Sequence, residues 1–150
     1  MKFKDLREFI SFLEANGDLH RVTTPVNHHL EITEITDRVI KSGGPALLFE
    51  NVTGFDIPVI INMYGSSQRT AWALGVNSLD ELVGRIENIL DIMHGPPKGL
   101  LNKLRTLGRL VQMGSYQPKI VNSAPCQDVV LQGSQVDLYK FPILKCWPLD

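Results

Sequence analysis

The chain has 150 residues, 43% of them hydrophobic and 21% charged, and a formal net charge of −1. This is the composition of an ordinary globular domain able to bury a modest core. The charge near zero conceals an asymmetry: residues 1–93 carry eight basic and thirteen acidic side chains, a net of −5, and residues 94–150 carry seven and three, a net of +4.

No acid occurs between Asp91 and Asp128, whereas Lys98, Lys103, Arg105, Arg109 and Lys119 all lie there. That excess favours an anionic surface. It is too small and too poor in aromatic residues to indicate nucleic acid. Lys2, Lys4, Asp5, Arg7 and Glu8 leave no apolar stretch near the start, so no signal peptide is expected. No apolar run approaches membrane-spanning length. Cys126 and Cys146 lack the close spacing of a zinc site or a redox pair, and read as two reduced thiols of a cytoplasmic protein.

In chain order, Asp5 caps a first helix, with Glu8 three places on and Leu6, Phe9, Ile10 and Leu13 as its buried stripe. Gly17 ends it, and Leu19 to Val22 read as a short strand before Pro25. A helix-stop-strand unit fills Leu30 to Asn51. Ile32, Ile35 and Val39 fall at helical spacing, Glu31 and Glu34 lie in the first turn, and Lys41 lies in the last. Gly43 and Gly44 suit the left-handed helix stop, and Pro45 prevents the helix from resuming. Ala46 to Phe49 is a wholly apolar run, the pattern of a buried strand.

Asn51 to Gly54 is a turn and Pro58 to Met63 a second apolar strand. A short helix starts after Gly65. Ser78 and Glu81 have capping-box spacing for a helix with Leu79, Leu82, Val83, Ile86, Ile89, Leu90 and Met93 on one face, which predicts a buried Ile86. Gly95-Pro96-Pro97 terminates it, and Leu100 to Met113 reads as a last helix, weakened by Gly108. After Pro118 no helical pattern returns. Lys119 to Val121, Asp128 to Leu131 and Val136 to Phe141 are short β-like runs, so a domain boundary is placed between residues 117 and 118. The residues by themselves support an α/β domain over 1–117, followed by β structure over 118–150.

Four local features bear on chemistry. Gly65-Ser66-Ser67 opens a helix near Arg69, where backbone N–H groups and hydroxyls can hold an anion, although Ser as a simple cap is the favoured reading. His28 and His29 precede Glu31, Glu34 and Asp37, all metal-ligand types. A solvated helix start accounts for them better. The 100–113 segment sets Leu100, Leu101, Leu104, Leu107 and Val111 against Arg105, Arg109 and Gln112, which fits a core-packing helix first and a membrane-surface helix second. Trp72, Tyr139 and Trp147 have the chemistry to stack on an aromatic ligand, but Trp72 beside Ala71 and Leu74 reads as core. His20 and His94 are isolated in sequence.

The wording of several segments resembles one family. LEITEI from Leu30, followed by Arg38 and by GGPALLFENVTG from Gly43, is similar to the N-terminal signature of the UbiD-type decarboxylases. The likeness begins at Asp5-Leu6-Arg7-Glu8-Phe9 and includes Gly17-Asp18-Leu19, Pro58-Val59, Asn62, and Gly65-Ser66 with Arg69 and Ala71. It continues through Pro96-Pro97-Lys98-Gly99, Ala124-Pro125-Cys126 and Val136-Asp137-Leu138, and closes on Pro142-Ile143 and Cys146-Trp147-Pro148. The members acting on 3-polyprenyl-4-hydroxybenzoate in ubiquinone synthesis resemble it most.

The resemblance implies a small α/β domain followed by the first strands of a flavin-reductase-like split β-barrel. It implies a parent enzyme that is cytoplasmic, peripheral at the membrane through its polyprenyl substrate, homo-oligomeric, and decarboxylates aromatic acids. The implied cofactors are prenylated FMN, manganese (Mn2+) and potassium (K+). The family's Glu-Arg-Glu set beside the flavin and its Asn, His and Glu metal ligands match no motif within residues 1–150. No catalytic, flavin or metal residue is therefore assigned, and the chain alone is expected to be inactive, as an N-terminal piece. The alternative is a stand-alone, non-catalytic module that binds a decarboxylase subunit. The reading frame beyond Asp150 discriminates between the two.

Overall fold

The computed structural model describes residues 3–93, 118 and 120–150. Among the described residues, four helices and three strands appear in the order α1 (Leu6–Ala15), β1 (Leu19–Val22), α2 (Glu31–Lys41), β2 (Ala46–Phe49), β3 (Val59–Ile61), α3 (Ser67–Ala73) and α4 (Leu79–Met93). Three single 3-10 turns follow at Pro125–Gln127, Gly133–Gln135 and Leu138–Lys140. The contacts divide the chain into two compact units: Met1–Glu81 together with Asp137–Asp150, and Leu82–Val136.

The first unit is built on a β1-β2-β3 sheet. β1 and β2 run parallel, Leu19 opposite Ala46 through Val22 opposite Phe49. Parallel neighbours need a long crossover, and α2 supplies it. β3 returns antiparallel to β2, with Leu47 opposite Ile61 and Phe49 opposite Val59. β2 is thus the central strand and every residue of it is buried. Its side chains alternate between two cores, as strand geometry requires. Leu47 and Phe49 join Val26, Ile32 and Val52, with Ile35 and Val39 of α2 packed alongside. Ala46 joins Phe9 and Leu13 of α1, with Phe12, Leu19, Met63 and Trp72 around them.

Local chemistry sets the ends of these elements. The Asp5 carboxylate accepts from the Glu8 N–H at 2.9 Å, and Glu8 reaches back to the Lys4 N–H at 2.6 Å, so α1 opens on a reciprocal cap. Gly43, just past the end of α2, has φ +70°, the left-handed stop that glycine takes without strain. β3 ends earlier than the apolar run Pro58 to Met63 implies, because Asn62 turns to φ 63°. Asparagine tolerates that region better than other side chains.

Two expectations are corrected. The α1 stripe is rotated: Phe9 and Leu13 are buried as read, but Leu6 is 49% exposed and Phe12 packs in its place. On α4 the helix bounds agree with the sequence, yet Val83, Ile86 and Leu90 are exposed, Ile86 by 49%, so the buried Ile86 expected from periodicity is wrong. In the expected α4 capping box, the Glu81 carboxylate accepts from the backbone N–H of Asn77 at 3.0 Å, one residue before Ser78.

The runs read as β-like after Pro118 form no strand among the described residues. Val136 to Phe141 contains the Leu138–Lys140 turn instead, capped by the Asp137 carboxylate on the Tyr139 N–H at 3.0 Å. A strand needs a neighbour to take its N–H and C=O groups, and the described residues provide none there. The helix read at Leu100 to Met113 lies outside the described residues. No helix among the described residues is long and apolar enough to cross a membrane.

Candidate functional site

The polar centre of the first unit lies where three turns meet: α1–β1, α2–β2 and β3–α3. Ser66 caps α3, its hydroxyl accepting from the Arg69 N–H at 3.1 Å. The cap orients the first turn of the helix, and the Arg69 side chain runs inward, 2% exposed. Its Nη1 donates to Asp18 Oδ1 at 2.8 Å and its Nη2 to the Gly44 carbonyl at 3.2 Å. A buried guanidinium is retained only when charge and hydrogen bonds compensate its lost water. Asp18 supplies the charge, and Gly44 one of the bonds.

Asn62 completes the cluster. Its side-chain amide donates to the Pro45 carbonyl at 2.8 Å and the Gly44 carbonyl at 3.3 Å. A Cβ on Gly65 would stand 1.7 Å from Asn62 Oδ1, so only glycine fits where the chain passes that amide. Asn62 Oδ1 and Arg69 Nε are buried without a hydrogen-bond partner among the described residues. The cluster therefore ties three turns together. With Arg69 enclosed and its Nη groups committed, the Gly65–Arg69 segment presents no free cation to an anion.

The His28–Asp37 group is not assembled as a metal site. Glu31 Oε2 accepts from the Asn27 N–H at 2.7 Å, Glu34 pairs with Arg38 and Asp37 pairs with Lys41, both at 2.6 Å. The Asp37 carboxylate raises the Lys41 ammonium above its ordinary value, chiefly through their hydrogen bond. The His28 ring stands edge-on to Phe55 at 4.9 Å, with Nδ1 buried and without a hydrogen-bond partner among the described residues. Among the described residues no group of three or more His, Cys, Asp or Glu is placed to hold a metal ion. These residues do not fit a resident manganese ion.

The aromatic candidates are not gathered either. Trp72 meets Phe12 edge-on at 5.2 Å inside the α1 core, whereas Tyr139 and Trp147 are exposed. Cys126 and Cys146 are free and exposed. On the surface, Arg21 bridges Glu14, at 2.6 Å, and Glu50. The Arg21 hydrogen bond holds the Glu14 carboxyl below its ordinary value, and both partners raise the Arg21 guanidinium.

Sequence reasoning missed the Arg69–Asp18–Gly44 clamp. Its members are 51 and 25 residues apart, and no spacing rule links them. The one available signal was that Arg69 is the single charged residue of the helix Ser67–Ala73.

Comparison with known proteins gives these observations a context. Residues 10–86 match the 3-octaprenyl-4-hydroxybenzoate carboxy-lyase N-terminal domain. Residues 119–150 match the Rift-related domain of the same carboxy-lyase. Among solved structures, the vanillic acid decarboxylase of Sedimentibacter hydroxybenzoicus is 37% identical over 51% of this chain and 17% of its own, with a TM-score of 0.48. An evolved dimeric form of the UbiD-class enzyme HmfF from Pelotomaculum thermopropionicum, in complex with prFMN, is 32% identical over 61% of this chain and 20% of its own, also at 0.48. The chain thus spans a fifth or less of the length of these relatives. With residues 10–86, just over half of the chain, matched to the first domain and residues 119–150 to the second in order, the chain belongs to the UbiD-type carboxy-lyase family.

Proposed function

We propose that the chain is the N-terminal portion of a prenylated-FMN-dependent decarboxylase of aromatic acids, with 3-polyprenyl-4-hydroxybenzoate of ubiquinone synthesis as the substrate. The observation that carries this reading is the ordered pair of matches, residues 10–86 and then residues 119–150. On this reading residues 1–117 form the N-terminal α/β domain, and residues 118–150 begin a flavin-reductase-like split barrel. The parent is a cytoplasmic homo-oligomer that meets the membrane through its polyprenyl substrate.

When bound, a prenylated flavin takes up the electrons left behind as carbon dioxide departs, and so performs the difficult step. The contribution of residues 1–81 is architectural. The buried Arg69 cluster ties the turns on either side of the β2-centred sheet together. The groups that hold the flavin, manganese and potassium lie outside the described residues.

Reconstitution tests this. The purified chain is incubated with prenylated FMN and manganese, and carbon dioxide release from 4-hydroxybenzoate-type acids is measured. The chain alone gives no release above the cofactor-only control, and a polypeptide extended by the remaining family regions gives turnover. Turnover by the 150-residue chain would place catalytic groups among residues read here as structural. An inactive extended polypeptide with flavin bound would refute the substrate class.

A further inference from the structure

Residues 141–147 come back, far along the sequence, to the start of α2. Lys145 pairs with His29 in an isolated parallel bridge. Its N–H donates to the His28 carbonyl at 3.2 Å, and its own carbonyl accepts from the Leu30 N–H at 3.1 Å. The Thr33 hydroxyl donates to the same carbonyl at 3.1 Å, and to the Leu30 carbonyl at 2.9 Å. Next to it, Leu144 packs against the core of Ile32, Phe49 and Val52 while Ile143 is 60% exposed. Asp150 then closes the turn after Lys145, its carboxylate accepting from the N–H groups of Cys146 at 2.9 Å and Trp147 at 2.6 Å.

The bridge meets α2 at a strained residue. Leu30 precedes the helix with φ 67° and ψ −29° and no side-chain cap. A non-glycine residue in that region persists only where its surroundings over-determine it. The Leu30 N–H stands at a helix start, where backbone donors lack partners within the helix. The Lys145 carbonyl satisfies it, and the Thr33 hydroxyl ties the Lys145 and Leu30 carbonyls together.

We propose that residues 142–147 are an intramolecular latch. They lie in the segment matched to the Rift-related domain, 119–150, yet their contacts belong to the unit that holds the N-terminal domain. Residues 142–147 are therefore held at the α2 terminus, within the unit that contains residues 1–81. While the latch is closed, residues 142–147 cannot leave the start of α2. Release requires breaking both backbone bonds of Lys145 and withdrawing Leu144. The inference holds for any activity of the protein, because it rests only on the bridge, the Leu144 contact and the Leu30 backbone.

Amide hydrogen exchange on the full chain tests it, read at Leu30 and, as an internal reference, at Leu47 and Leu48 of β2. Lys145→Pro removes the donor to His28 and drives a ring against that carbonyl, so the Leu30 amide should exchange at least tenfold faster while β2 keeps its protection. Thr33→Val removes only the hydroxyl link and folds without a backbone change, so the Leu30 rate should rise severalfold. Ile143→Ala, at an exposed neighbour, should leave it unchanged. A Leu30 rate equal in the parent chain and both latch variants would overturn the proposal. So would loss of protection in β2 as large as at Leu30, since residues 142–147 would then be part of the core and no latch.

Discussion

β2 and the stretch from Ile120 to Leu149 are both rich in strand-forming residues, and, apart from the turn at Leu144 and Lys145, they end in opposite states. All four residues of β2 are buried between two cores. Ile120 and Leu149 are fully exposed, and Val129, Leu138, Tyr139 and Trp147 are exposed by 65% or more. Composition does not separate the two regions. What separates them is neighbours: β2 has a parallel partner, an antiparallel partner and a helix supplying apolar groups to each core. An apolar run becomes a strand only when other segments take its hydrogen bonds and cover its faces.

That comparison is sharpest as a pair of substitutions. Leu13→Ala empties a fully buried site in the α1 core and should cost about 2–5 kcal/mol. Ile86→Ala on α4 trims a half-exposed side chain and should cost about 0.5 kcal/mol or less. Urea unfolding followed by tryptophan fluorescence in a Trp147→Phe background, where Trp72 alone reports on the Phe12 contact, measures the first. The helical circular dichroism signal measures the second. Equal losses would mean that cover by neighbouring segments does not decide what an apolar side chain contributes.

The next effect concerns polar groups in the same well-covered unit. Asp18→Ala should destabilise by about 3 kcal/mol, because it strips the buried Arg69 of its charge partner. Asp18→Asn, which keeps an acceptor near Nη1, should recover part of that loss. A change below about 0.5 kcal/mol in denaturant unfolding of Asp18→Ala would mean that the guanidinium does not need its carboxylate.

The smallest effect belongs to the surface pair. The Glu14 carboxyl is held below its ordinary value of 4.5 by the Arg21 hydrogen bond, so folding binds fewer protons there. Its contribution is present above that ordinary value and is lost as the pH falls through the lowered one. Glu14→Gln should leave a shallower fall of the thermal midpoint below about pH 4.5 than the parent chain shows. Parallel curves for the two proteins would remove the pair from the account of acid stability.

How far the sequence could be read follows the same division. Leu19–Val22, Glu31–Lys41, Ala46–Phe49 and Leu79–Met93 stand where periodicity, capping residues and glycine stops place them. Each of those signals is local, contained within a few turns of chain. The exposure of Ile86 was not legible, because an amphipathic stripe says which residues share a face and not what covers it. Family membership was legible too, since it rests on the wording of segments in order.

The sequence by itself thus determined the order and bounds of these helices and strands, and the family. Only the tertiary structure decided which apolar stripes found cover, that Arg69 turns inward to Asp18 and Gly44, and that Leu144 and Lys145 close on α2. The clamp joins residues 51 apart, and the Thr33–Lys145 bond joins residues 112 apart. Such pairings carry no periodicity: they are fixed by where the backbone brings buried polar groups together, and by the cost of leaving those groups unpaired.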